Sequence, residues 1–325
     1  MTHKLIIDAD PGIPDALAIL AAIAESSVDL IALTGTAGTV SGHQATRNLQ
    51  YLTGIADPVR HPRIGQSDIA VAPADAAPAG LPSQYVLNGR FGLGEIEPTV
   101  PDLHNRRKSA KLICDVARQF PQEVTILCLG PLTNLAMALD LEPQLPGLLD
   151  SAIVMGGAFA AGGDVTSAAE FNVWADPGAA QTVLASSLRK RVVPRDVADA
   201  SMLTFDDIDR LTGLIPSTPS GELINHLLTF SVRSRRQHLP TESVTVPAAF
   251  GLAVLVGDCE TQSDAAWVQI ELQGTITTGM TVLEQRAVRN RLANCEIITA
   301  MNSHCVLDLL CRNLRRIATQ GTAES

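Results

Sequence analysis

Apolar runs of strand length alternate with stretches of helical periodicity along most of the chain, and Gly, Pro or Asp marks most of the boundaries. The apolar runs predict strands at Lys4–Asp8, Asp29–Gly35, Glu123–Leu129, Ala152–Met155 and Arg191–Val193. Strands that alternate with helices are typical of parallel βαβ units. We therefore predict an α/β fold with an open, mostly parallel sheet flanked by helices, in a single domain that spans residues 1–325.

The spacing of apolar residues also predicts the helices. These are Asp15–Glu25, His43–Ile55, Arg106–Gln119, Pro177–Ser187, Phe205–Leu211, Gly221–Arg236, Ala248–Val256 and Ala300–Ile317. Asn105 would cap the third of these helices. Residues 266–272 and 277–283 form a hairpin-like pair. Residues 69–104, rich in Pro, Ala and Gly, predict a long surface excursion of the kind that forms the wall or lid of a site.

The composition narrows the classes of partner and compartment. The chain has 325 residues, of which 46% are hydrophobic, and a formal net charge of −10. Nucleic-acid binders need clustered Lys and Arg, so we predict no nucleic-acid partner. No apolar run reaches membrane-spanning length, and Met1 leads almost directly into a strand, which leaves no room for a signal peptide. We therefore expect a cytoplasmic protein with no membrane partner.

The cysteines also indicate the cellular compartment. None belongs to a Cys-x-x-Cys pair, and most lie among apolar residues: Cys114, Cys128, Cys259, Cys295, Cys305 and Cys311. This pattern predicts free, buried thiols in a reducing compartment.

Three carboxylates cluster where the first predicted strand ends and the first helix begins, at Asp8, Asp10 and Asp15. Asp8 and Asp10 point the same way, because side chains two apart on a strand share a face. Carboxylates this close together repel, so a cation, a substrate hydroxyl or a proton must compensate them. Oxygen ligands on a turn suit calcium or magnesium better than zinc. A single Asp here would be explained by helix capping, whereas three favour a site.

Polar segments follow the later predicted strands as well. They are Gly-Pro-Leu-Thr-Asn-Leu-Ala at 130–136, Met-Gly-Gly at 155–157 and Gly-Asp-Val-Thr-Ser-Ala-Ala-Glu-Phe-Asn at 163–172. Together with the opening Asp-Ala-Asp-Pro-Gly-Ile-Pro-Asp, they resemble the signatures of the inosine/uridine-preferring nucleoside hydrolase family. The resemblance covers nearly the whole chain. It implies a homo-oligomeric enzyme that hydrolyses the N-glycosidic bond of nucleosides.

The resemblance also implies a metal site and a catalytic base. Calcium would be held by Asp10, by Asp15 and by the backbone carbonyl of Leu129. Asp10 would in addition take the proton of the attacking water. Asp8 would hold the turn without touching the metal.

A ribose pocket is implied by the same resemblance. Met155, Asp164, Glu170 and Asn172 would line it, and Glu170 and Asn172 would bond the sugar hydroxyls. Each of these residues has a simpler explanation, since Met155 could be core packing and the two polar residues could belong to a solvated loop. Alternation on a strand or loop would point Glu170 and Asn172 to the same side.

The chain departs from the family pattern inside this pocket. Pro14 replaces an Asp that binds the ribose, Thr39 replaces an Asn, and Asp164 replaces another Asn. The family's His-Asp-Pro motif aligns with Thr245-Val246-Pro247, which loses a calcium ligand and a residue that assists departure of the base. We therefore expect a weakened calcium site, because calcium affinity follows the number of charged ligands.

Two hypotheses follow from these departures. The first is a nucleoside hydrolase of weak or altered activity, and the alternative is a protein of the same fold that binds a ligand or partner without turnover. Glu242 and His238 could reach into the site as substitutes, although both residue types are common on exposed loops.

Overall fold

The computed structural model describes residues 2–78, 84–103, 106–239, 241–286 and 292–320. Its strands are β1 His3–Ala9, β2 Val28–Gly35, β3 Arg63–Gly65, β4 Val124–Cys128, β5 Ser151–Met155, β6 Lys190–Val193, β7 Met202–Thr204, β8 Ser243–Thr245, β9 Thr261–Ala266, β10 Val268–Ile270, β11 Thr281–Leu283 and β12 Cys295–Met301.

The helices lie between these strands. They are α1 Ile13–Ala24, α2 Gly42–Ala56, α3 Gln84–Asn88, α4 Ser109–Gln119, α5 Thr133–Leu141, α6 Leu145–Leu148, α7 Phe171–Ala175, α8 Pro177–Ala185, α9 Arg195–Ala198, α10 Phe205–Leu214, α11 Pro219–His238, α12 Ala248–Val256 and α13 Ser303–Gln320. A short 3₁₀ helix at Pro73–Ala76 and helix α3 lie within the predicted surface excursion.

Eight strands form the central sheet, in the order β3-β2-β1-β4-β5-β6-β12-β9. Every neighbouring pair is parallel except β12 and β9, which are antiparallel. The predicted open, mostly parallel α/β sheet is therefore confirmed. The strand order reverses between β1 and β4, and in such sheets ligands bind at this reversal, outside the carboxyl ends of the strands.

Helices cover both faces of the sheet, which explains why the central strands are continuously apolar. Alternate residues of β1 face opposite sides. Leu5 and Ile7 pack with α1, α12 and α13, whereas Ile6 packs with α4, α5 and α8. Two apolar layers therefore fix β1 from both sides, and its carboxyl end is held rigidly.

The structure extends or corrects several predicted elements. Helix α4 begins at Ser109 rather than Arg106, and the predicted cap Asn105 lies outside the described residues. The predicted start of the last helix was wrong, because residues up to Met301 belong to strand β12, which inserts into the sheet beside β6. The hairpin-like pair is present as the antiparallel strands β10 and β11.

The prediction that all six cysteines are free was wrong. Cys259 and Cys305, 46 residues apart, form a disulfide. It joins the segment after α12 to the first turn of α13, and this proximity arises only when the two helices pack together. Cys114, Cys128, Cys295 and Cys311 are free. The argument for a reducing compartment therefore no longer holds.

Candidate active site

The turn after β1 meets the end of β4 where the strand order reverses. Asp8 lies in β1 beside Thr34 of β2 and Cys128 of β4, and the Leu129 amide donates to the Asp8 carbonyl. Sheet register therefore fixes the positions of the Asp8–Asp10 turn and of Leu129 relative to each other. This edge of the sheet is where the sequence places the acids.

Asp8 is held by side chains of β2 and α5. Its Oδ1 accepts hydrogen bonds from the Thr34 hydroxyl at 2.6 Å and from the Asn134 amide at 2.8 Å. Burial raises the pKa of Asp8 to about 7, although these two donors oppose the shift. Its Oδ2 has no hydrogen-bond partner among the described residues. Asp8 therefore links β1, β2 and α5 beneath the turn.

Asp10 is buried at the tip of the turn. Its Oδ2 accepts a hydrogen bond from the Thr39 backbone amide at 2.5 Å. The carboxylate packs against Gly38 and Gly130 so closely that a side chain at either glycine would collide with it. Burial raises the pKa of Asp10 to about 6. Two glycines and one amide therefore position this carboxylate, and it caps no helix.

Asp15 lies in the first turn of α1, close to Asp10. Burial raises the pKa of Asp15 well above its usual value, and the charge of Asp10 raises it further. Neither carboxylate forms an ion pair with a Lys or Arg of the described ranges. The charges of two neighbouring acids are therefore left uncompensated by the protein.

Glu170 and Asn172 flank Phe171 at the start of α7, and not on a strand or a loop as expected. Glu170 caps the helix, accepting from the backbone amides of Asn172 and Val173, and its Oε2 also accepts from Gly157 at 2.9 Å. Burial raises the pKa of Glu170 to about 8. The Asn172 amide donates to the backbone carbonyl of Leu129 at 2.7 Å. Asn172 therefore ties α7 to the end of β4.

These side chains share a small inner chamber of about 90 Å³. The predicted site residues on its wall are Asp15, Leu129, Met155, Asp164, Glu170 and Asn172. Met155 is therefore both core packing and chamber wall, since it is 5% exposed and belongs to the apolar layer that contains α1. Asp10 is buried and does not line the chamber.

A larger outer chamber of about 1390 Å³ adjoins the inner one. The two share the wall residues Asp164, Arg195, Asp199 and Pro247. Burial raises the pKa of Asp164, and the Arg195 guanidinium opposes this shift. A ligand that fills the inner chamber can therefore extend into the outer one.

Sequence reasoning missed an arginine and an acid of this wall, Arg195 and Asp199, and a second acid, Asp196, next to Arg195 in the chain. The Arg195 guanidinium donates to the carbonyls of Gly162 and Gly163 and pairs with Asp199 at 2.9 Å. Asp196 accepts from three successive backbone amides, those of residues 159–161. The Pro-Arg-Asp segment after a predicted strand was the available signal. Its position at a strand end is the same as that of the acids after β1.

The residues that depart from the family pattern lie in different surroundings. Pro14 lines the outer chamber at the start of α1. Val246 is completely buried in the apolar core and offers no oxygen to the inner chamber. Glu242 and His238 are exposed and line neither chamber, so the structure does not support them as substitutes.

The donor set fits a calcium ion with few protein ligands. Asp10, Asp15 and the Leu129 carbonyl offer only oxygen, which is the ligand type that calcium prefers. The two buried carboxylates carry charge that a cation would neutralise. Within the described ranges, no group of three or more His, Cys, Asp or Glu side chains is close enough to hold a metal. The fit therefore depends on two carboxylates and a backbone carbonyl.

Comparison with known proteins identifies the class. A family model described as inosine-uridine preferring nucleoside hydrolase matches residues 5–308. The chain is 34% identical over 292 residues to Uridine nucleosidase 1 of Arabidopsis thaliana, with 87% of this chain and 82% of the relative covered. It is 28% identical over 304 residues to the inosine-uridine preferring nucleoside hydrolase of Leishmania major, with 93% of each covered.

Solved structures agree with the sequence relatives. A plant nucleoside hydrolase, PpNRh1, superposes with a TM-score of 0.84 at 25% identity, covering 97% of this chain and 99% of the other. An inosine-guanosine nucleoside hydrolase superposes with a TM-score of 0.83 at 26% identity, covering 98% and 99%. The chain therefore belongs to the inosine-uridine preferring nucleoside hydrolase family. This membership confirms the prediction of an N-glycosyl hydrolase that acts on nucleosides.

Proposed function

We propose that the protein hydrolyses ribonucleosides to ribose and free base, with Asp10 as the general base. The observation that carries the assignment is the buried Asp10 carboxylate, which lies directly after β1 at the strand reversal and is positioned by Gly38, Gly130 and the Thr39 amide. Asp8 is the competing acid, but it is committed to Thr34 and Asn134 beneath the turn.

In this reaction the oxygen of a water forms a bond to the anomeric carbon while the bond from that carbon to the base nitrogen breaks. The electron pair of the broken bond stays with the base, and Asp10 accepts a proton from the water. Glu170, Asn172 and Asp164 line the inner chamber and would bind the sugar hydroxyls, beside Met155 as an apolar wall. Bonds to hydroxyls that strengthen in the transition state accelerate glycoside cleavage.

Calcium is part of the proposal. When bound by Asp10, Asp15 and the Leu129 carbonyl, it would make the water more acidic and hold sugar hydroxyls. Val246 supplies no ligand, so this site should bind calcium more weakly than one with three carboxylates. The position of Asp15 on the wall of the inner chamber, with the charge of Asp10 acting on it, supports the two acids as ligands of one ion.

The direct test is release of ribose from uridine and inosine, measured with a reducing-sugar assay in the presence and absence of added calcium. We expect release from at least one nucleoside, increased by calcium. Binding of nucleoside in calorimetry without release of ribose would contradict the proposal and favour a binding protein. The buried Val246, which lacks a ligand oxygen, is the observation behind that second candidate.

Assembly and compartment complete the proposal. We propose a homo-oligomer, which light scattering on purified protein measures. A cytoplasmic location stays a prediction, and tagged protein in fractionated cells tests it. Among the described residues, no helix is long and apolar enough to cross a membrane.

A further inference from the structure

An arginine that the reaction above does not use lies in the wall of the outer chamber. Arg235 is in the last turn of α11 and is partly buried. Its guanidinium donates to the Thr245 hydroxyl at 2.8 Å. Ser231, one helical turn earlier, lines the same chamber. Arg235 lines this chamber as well.

Arg235 differs from the other arginines nearby. Arg195 is bound to Asp199 and two carbonyls, and Arg236 is exposed, with its guanidinium 4.5 Å from the centre of the Phe205 ring. No residue of the described ranges forms an ion pair with Arg235, although the charge of Asp199 acts on it from a distance. Burying a cation without a direct partner costs free energy. A partner supplied by the ligand would compensate this cost.

The position of Arg235 relative to the reacting bond follows from the chambers. Asp15, Glu170 and Asn172 define the sugar end in the inner chamber. A base attached to that sugar would extend past Pro247, which lines both chambers, toward Thr245 and Arg235, which line the outer one. Thr245 occupies the position at which the family pattern has a His that assists departure of the base. Arg235 donates directly to Thr245, the residue that stands in place of this His.

A guanidinium cannot act as that His does. It has five donors, no acceptor, and stays protonated in proteins, so it cannot give a proton to the base. It can, however, form hydrogen bonds to carbonyl oxygens that become negative as the base leaves with the electron pair of the glycosidic bond. Such fixed donors contribute about 100- to 1000-fold to rate in other enzymes. The base then takes its proton from water.

We propose that Arg235 is a catalytic residue of this enzyme, which binds the carbonyl oxygens of the departing base and stabilises its negative charge. This inference rests on the proposed nucleoside hydrolysis. It places leaving-group assistance on α11, outside the segment 245–247. Because the guanidinium only donates, it also favours bases that present carbonyl oxygens over bases that present amino groups.

The test uses substrates that differ in their need for assistance. Uridine and inosine release poor leaving groups, whereas nitrophenyl riboside releases a stable anion without help. We expect Arg235→Met to lower kcat/KM for uridine and inosine by about 100-fold and to change nitrophenyl riboside hydrolysis by less than about threefold. Arg235→Lys should recover part of the loss, because it restores the charge without the planar donors.

Arg236→Met is the matched control, since it removes a neighbouring exposed arginine from the same helix turn. It should leave both kinds of substrate unaffected. The role of Arg235 is overturned if Arg235→Met lowers hydrolysis of nucleosides and nitrophenyl riboside equally, or lowers neither. If the unmodified protein releases ribose from none of these substrates, the proposed function fails and the role of Arg235 fails with it.

Discussion

The two ends of the candidate site are built in different ways. At the proposed sugar end, Asp8 lies in the hydrogen-bond register of β1, β2 and β4 inside the main sheet, and Asp10 and Leu129 directly follow β1 and β4. At the base end, Arg235 and Thr245 belong to α11 and to the small two-stranded sheet of β7 and β8. A residue whose backbone pairs on both sides has little freedom to move. Arg235 and Thr245 lack such pairing on both sides, because Arg235 lies in a helix and β8 belongs to a sheet of two strands.

The largest expected effect is at the sugar end. Asp10→Asn should lower turnover of uridine or inosine by about 100- to 10,000-fold, because an amide cannot accept the proton of the attacking water. The side chain keeps its size, so it still fits between Gly38 and Gly130. Steady-state kinetics, with circular dichroism to verify folding, measure the loss.

Glu242→Gln is the matched control for Asp10→Asn. It makes the same change of a carboxylate to an amide, but on an exposed residue that lines neither chamber. It should leave turnover unchanged. An Asp10→Asn variant that is folded and keeps most of its activity contradicts the assignment of Asp10 as the base.

The difference between the end of the site on the main sheet and the end on α11 and β8 also explains what could be predicted from the sequence. The central parallel sheet and the acids after β1 were predictable, because apolar strands and the turns at their ends are local patterns. Strand β12 was not, because it pairs with β6 across about a hundred residues. The disulfide and the contact between Arg235 and Thr245 were also out of reach. Each depends on how separate helices pack.

The next effect tests whether the base end lost a calcium ligand. Val246→Asp places a carboxylate in a completely buried position. Without calcium we expect a loss of about 3–5 kcal/mol in the free energy of unfolding, because the charge has no partner. If the carboxylate reaches the ion, calcium should restore much of that loss. Thermal melting with and without calcium measures both.

Val246→Asn is the control for Val246→Asp, since asparagine has the shape of aspartate without the charge and should respond less to calcium.

The double variant Pro14→Asp, Val246→Asp should gain calcium affinity and nucleoside hydrolysis together. Calorimetry on the unmodified chain should give binding weaker than about 1 µM. Tighter binding shows that another residue completes the ligand set and contradicts the view of a weakened site.

A smaller effect concerns the disulfide, which lies in the C-terminal part that carries the base end. Cys259→Ser should lower the free energy of unfolding by about 2–4 kcal/mol, because the bond closes a long loop in the unfolded chain. Nucleoside kinetics should not change, since the sugar end is held by the sheet. Denaturant titration measures the stability.

Cys311→Ser is the control for the disulfide, because Cys311 is a free thiol on the same helix α13. It should cost less than Cys259→Ser under oxidising conditions. Reductant should lower the stability of the unmodified chain toward that of Cys259→Ser and leave that variant unchanged. Equal stability of the unmodified chain and Cys259→Ser contradicts a stabilising bond.

The smallest effect returns to the support beneath the sugar end. Thr34→Val keeps the shape of a buried β2 residue but removes the hydroxyl that donates to Asp8 at 2.6 Å. We expect a loss of about 1–2 kcal/mol in the free energy of unfolding, because a buried carboxylate loses one of two side-chain donors. Thr53→Val is the control, since its hydroxyl only adds a second bond to the Leu49 carbonyl within α2. Denaturant titration of both variants should show the larger loss for Thr34→Val, and equal losses would mean that Asp8 does not depend on this contact.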